Sequence, residues 1–121
     1  MNSYSAKIKE ALSSRRILLI RYREEGRSID LWIFHGVERD YLLIPGRFCT
    51  CHDYVVNVAS RGIKKRCYHI QTLDEAVNRG MYRVLELSNY EVVKQILLEV
   101  ILRSRSNELR RLLSQYPRRD S

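Results

Sequence analysis

Four side chains suited to a soft metal ion lie close together in this sequence. Cys49 and Cys51 form C-x-C, Cys67 and His69 form C-x-H, and fifteen residues separate the two pairs. They include every cysteine of the chain and one of its three histidines. Zinc takes four such donors in a tetrahedron, and three thiolates with one imidazole make a common closed set. Ligands one residue apart reach a single ion where the backbone turns, and Pro45-Gly46 just upstream favours a turn. A fifteen-residue insert readily returns the second pair to the first. The competing reading, small buried thiols and a packed core histidine, explains any one of these residues but not two tight pairs. A thiol redox pair is a third reading, weakly supported because no thioredoxin-like pattern accompanies the C-x-C. His52, next to Cys51, is expected at the surface near the metal, and His35 in solvent.

This donor set points to structure rather than catalysis. Hydrolytic zinc keeps an open position for water and a nearby carboxylate as base. Four protein ligands close the tetrahedron here, and three thiolates make the ion a poor Lewis acid. Neither H-E-x-x-H nor the H-x-E…C-x-x-C pattern of nucleobase deaminases occurs, and there is no glycine-rich phosphate loop. The expectation is a protein that is not an enzyme.

The elements that must hold these ligands read as an α+β fold. Residues 1–14 suit a short amphipathic helix, with Tyr4, Ile8, Ala11 and Leu12 on one face. Ile17–Tyr22, Ser28–Phe34 and Asp40–Ile44 read as three short strands joined by turns at Gly26 and Gly36, an antiparallel meander that Pro45-Gly46 ends. The segment between Cys51 and Cys67 is ambiguous: Asp53 suits a helix cap, while Val55, Val56 and Val58 suit a strand. Beyond it the pattern is helical. Leu73, Ala76, Val77, Gly80, Met81 and Val84 form one stripe, and Thr72 with Glu75 has capping-box spacing. A second helix opens at Ser88, and a third segment follows the polar break at 103–107. The chain therefore reads as one domain over 1–121, with a finger at 49–69 and a helical part at 72–116.

The ligand pattern "CTC…CYH" resembles SWIM-type zinc fingers, which serve DNA binding and protein contact. The likeness extends upstream through "RRILLIRY…GRSIDLWIFHGVERDYLLIPGRFCTCHDYVV" to the strands that precede the finger in small SWIM proteins of the Shu-complex type, including archaeal relatives. It covers about half to two-thirds of the chain, from Arg15 to roughly Leu85. The resemblance implies a structural zinc ion on Cys49, Cys51, Cys67 and His69. It also implies a RadA-family recombinase paralogue as partner and a role in homologous recombination and DNA repair. That branch reads C-x-H-x-x-A, whereas Thr72 stands at the alanine position here.

Charge and apolar patterning nominate the surfaces. Lysine and arginine number 22 against 14 acids, a formal net charge of +8, which favours a polyanionic partner. Arg61, Lys64, Lys65 and Arg66 precede Cys67 and suit contact with nucleic-acid phosphates without sequence preference. The helix after Ser88 is apolar over a wide stripe, and Val93, Ile96, Leu97, Val100 and Ile101 are expected to dock in a partner or pair with a second copy. Two functional readings follow: an accessory protein acting through a recombinase paralogue, with DNA as a second partner, or a DNA-binding regulator that uses the finger alone. No apolar run reaches the roughly 18 residues of a membrane span, and no secretory h-region is present. The expected location is intracellular, and the cytoplasm or nucleoid if the host is prokaryotic.

Overall fold

The computed structural model describes residues 3–44, 48–49 and 68–115, with side chains from 6 to 44 and from 68 to 115. It is an α+β arrangement. The elements in order are α1 (Ser3–Ser13), β1 (Ile17–Glu24), β2 (Arg27–His35), β3 (Asp40–Ile44), β4 (Phe48–Cys49), α2 (Tyr68–Arg79), β5 (Arg83–Leu87), α3 (Tyr90–Arg103) and α4 (Asn107–Gln115). The strands form one mixed sheet in the order β4-β3-β2-β1-β5. Among the described residues, no helix is long and apolar enough to cross a membrane.

The expected meander is present as β1-β2-β3, antiparallel throughout. Its first turn is tight because Glu25 and Gly26 both take positive φ, 41° and 79°, the twist that suits a two-residue hairpin. Two strands extend the sheet beyond the expectation. Pro45-Gly46 does not end it, because Phe48 and Cys49 pair back onto Ile44 and Leu43. At the other edge, β5 pairs parallel with β1, Leu85 lying opposite Ile20.

The helical stripe expected across residues 73–84 therefore breaks. Gly80 takes φ 66°, and the Met81 and Gly80 amides donate back to the Ala76 and Val77 carbonyls, a left-handed closure that terminates α2. Past it, Arg83–Leu87 alternates as a strand, with Leu85 buried and Val84 exposed. Thr72 does not cap the helix either, because α2 already runs from Tyr68. It is fully buried in the helix, where its hydroxyl donates to the Tyr68 carbonyl at 2.9 Å. The cap of α3 is Asn89 rather than Ser88, its side chain accepting from the Glu91 amide.

Both sheet faces are covered. On one, Ile17, Phe34 and Leu43 pack with Ala11 and Leu12 of α1 and Ile70, Leu73 and Ala76 of α2. On the other, Leu18, Ile20, Ile33 and Leu85 pack with Ile96 and Val100 of α3 and Leu109 of α4. This corrects the docking face expected on α3: Val93, Ile96 and Val100 are buried in the protein's own core and Leu97 is half-buried, leaving only Ile101 of the five exposed. A sheet with no solvent face needs an apolar helix on each side, and α3 supplies one. Ile96→Ala should lower the free energy of unfolding by about 2–5 kcal/mol, whereas Val37→Ala, in an exposed turn, should change it by less than about 0.5 kcal/mol. Urea titration monitored by circular dichroism distinguishes the two.

Candidate metal centre and a buried carboxylate clamp

One edge of the sheet gathers two of the four ligand positions. Cys49 lies in β4, its backbone in register with Leu43 of β3, and Leu43 packs in the cluster that includes Ile70 of α2. His69 sits in the first turn of α2, which contacts both β3 and β4. Its half-buried ring is held in an aromatic wall, 4.4 Å from the Phe34 ring centroid and 4.5 Å from that of Tyr41, with Tyr68 at 5.1 Å. Phe34 and Tyr41 are themselves register partners on β2 and β3. The strand pairing thus builds the wall, and the wall restricts how the imidazole turns. Tyr68 anchors the helix start from the other side, its hydroxyl donating to the Lys7 carbonyl of α1 at 3.0 Å. Burial pushes the Tyr68 phenol pKa up, and the Glu10 carboxylate adds to the shift.

Cys51, Cys67 and His52 lie outside the described residues, as do Arg61, Lys64, Lys65 and Arg66. So does the ambiguous segment between the cysteine pairs. The donor chemistry fits zinc, and the described geometry fits it in one respect: the strand bearing Cys49 and the helix bearing His69 are in contact. Among the described residues, no three acidic, cysteine or histidine side chains converge on a metal position. A shallow cleft of about 370 Å³ opens beside His69, lined by Phe34, Tyr41 and residues 36–39 of the β2–β3 turn.

That turn is fixed by a cluster that sequence reasoning did not find. Asp40 is fully buried, a charged residue in an otherwise apolar strand. Its Oδ1 lies 2.7 Å from His35 Nδ1 and accepts from Arg110 Nη2 at 3.0 Å, while Oδ2 accepts from the Ser106 amide at 2.9 Å and from Arg110 Nε at 3.3 Å. The Asp40 amide donates to the Ser104 carbonyl at 2.8 Å. Arg110 also donates to the Gly36 and Val37 carbonyls at 3.0 and 3.1 Å. A carboxylate removed from water needs this many donors, because each unmatched lone pair would be costly. Gly36 is required within the same turn, since an added Cβ would stand 2.7 Å from the Arg39 carbonyl oxygen. His35, expected in solvent, is therefore part of a clamp joining the β2–β3 turn to α4.

A second carboxylate secures the α3–α4 corner. Ser106 caps α4, its Oγ accepting from the Leu109 amide at 3.0 Å and donating to Glu99 at 2.8 Å. Glu99 also accepts from the Glu108 amide at 3.1 Å. Burial acts to raise its pKa, but hydrogen bonds from Ser106, the Glu108 amide and Gln95, with Arg103 nearby, outweigh burial and hold it below 4.5.

Compared with protein-family models, curated proteins and solved structures, the chain matches none of them.

Removing one partner of the clamp leaves the rest buried and unmatched. Asp40→Ala should destabilise the fold by about 3–5 kcal/mol in denaturant titration. Arg110→Lys should recover only part of an Arg110→Ala loss, because an ammonium cannot reach the carboxylate and two carbonyls in one plane. The pH dependence follows from Glu99. Its folded-state pKa is depressed, so its stabilisation is present above its usual 4.5 and is lost as the pH falls through the folded value. Glu99→Gln should therefore flatten the acid limb of the stability curve below about pH 4.5, measured by thermal melts in graded buffers.

Proposed function

We propose that this chain is a non-catalytic SWIM-type zinc-finger accessory protein of homologous recombination, binding a RadA-family recombinase paralogue and, through its basic excess, DNA. The observation that carries the reading is C-x-C…C-x-H: Cys49, Cys51, Cys67 and His69 use every thiol of the chain in a closed donor set. The fold supports it by bringing the strand of Cys49 into contact with α2, in whose first turn the Phe34–Tyr41 wall holds His69. Zinc, when bound, supplies a rigid cross-link between the end of the sheet and the start of α2, with no reactive position on the ion. Phe34 and Tyr41 orient the imidazole. Arg61, Lys64, Lys65 and Arg66, which precede Cys67 in the sequence, meet phosphates by charge.

Elemental analysis of the purified protein should find about one zinc per chain, falling to near zero in Cys67→Ser. A metal-replete preparation that lacks zinc sinks the finger. Affinity purification of the tagged chain from its own cells should recover a recombinase-family subunit, and its consistent absence sinks the partner. Tight, sequence-selective duplex binding by the isolated protein, maintained as salt rises, would instead favour a regulator acting through the finger alone.

A further inference from the structure

The middle residue of C-x-H is Tyr68, so the ligand positions Cys67 and His69 flank it directly in the chain. Its ring packs on Phe34 at 5.6 Å between centroids, and its hydroxyl donates to the Lys7 carbonyl across 61 residues. That hydroxyl ties the first turn of α2 to the middle of α1. The C-terminal end of α1 is closed by local bonds instead. Glu10 accepts from Ser14 Oγ at 2.9 Å and from Arg16 Nη2 at 3.1 Å, and the Arg16 amide donates to the Ala11 carbonyl at 3.0 Å. Ala11 and Leu12 share a buried cluster with Ile70, Leu73 and Ala76, so α1 rests on α2 as well as on the sheet.

The start of α2 is built unlike the starts of the two later helices. Asn89 caps α3 and Glu91 lies in its first turn, and α4 has Ser106 and Glu108 in the same roles. The first turn of α2 carries no acidic residue. Ligand positions stand there instead, Cys67 before it and His69 within it. Ligation on both sides of Tyr68 fixes its backbone, and with it the direction in which the hydroxyl points. We propose that Tyr68 couples the metal site to α1, so that docking of the N-terminal helix is metal-linked, secured when zinc is bound and loosened when it is lost. The inference rests on the zinc reading above and adds to it the element that responds to the metal. The buried residues of α3 and α4 pack on the opposite sheet face, and both helices carry their own caps, so they hold without it.

Hydrogen–deuterium exchange of the full chain, zinc-loaded and after chelation, tests the proposal, with zinc counted in every sample. Chelation should speed amide exchange across residues 7–13 of α1 roughly tenfold, while α3 and α4 stay protected. Tyr68→Phe keeps the ring and removes only the hydroxyl. At matched zinc content, α1 of the loaded variant should exchange about fivefold faster than in the wild type, the effect of one hydrogen bond. After chelation, variant and wild type should exchange alike, whereas a hydroxyl that merely fastens α1 would act equally in both states. Unchanged α1 exchange on loss of a counted zinc overturns the coupling and leaves the finger standing. So does an equal effect of Tyr68→Phe with and without zinc. Opening of α3 and α4 together with α1 overturns it as well, since the response is then global. A wild type that takes up no zinc removes the finger, and the coupling with it.

Discussion

The fold depends on a carboxylate that water does not reach. Asp40 is fully buried at the start of β3, and its partners come from three places: His35 across the hairpin, Arg110 of α4, and the backbone that leads into α4. Arg110 stands 70 residues from Asp40 in the chain. Apolar packing alone would allow α4 to slide along the sheet face, because hydrophobic contact has no direction. The planar fork of Arg110 fixes that freedom. It joins the Asp40 carboxylate to the Gly36 and Val37 carbonyls, so the helix, the turn and the strand have one relative position. The turn that lines the cleft beside His69 is thereby held in place.

Much of the framework was legible in the sequence because its elements are local. The meander follows from alternating apolar runs and glycine turns, and the helix break near Ser104–Ser106 follows from a polar gap between two apolar stripes. What escaped was decided by tertiary context. Val84 fits the helical stripe of Leu73 and Ala76 by spacing, but Gly80 at positive φ stops the helix and leaves 83–87 to pair with β1. Its signal was present as a glycine followed by alternating R-V-L-E-L. The faces of α3 could not be separated by pattern. A helix apolar over most of its circumference does not reveal which side the sheet will take, and Val93, Ile96 and Val100 lie on that side.

The candidate site divides in the same way. The donor types and their spacing are properties of the chain, readable directly. The surroundings of His69 are not, since Phe34 and Tyr41 reach it only through the pairing of β2 with β3. His35 and Asp40 carried one faint sign, an acid at the head of an apolar strand five residues after a histidine. Nothing local indicates that Arg110 completes the cluster.

The parallel edge strand has a consequence for how the chain acquires its shape. The first three strands are sequence neighbours and can zip together as soon as they leave the ribosome. The strand at 83–87 must wait until the whole intervening segment and α2 have been made, and its pairing closes the longest loop in the sheet. Until then the backbone of Leu18–Tyr22 presents an unpaired apolar border. During biosynthesis that border is where a second nascent chain could add itself in place of the missing strand.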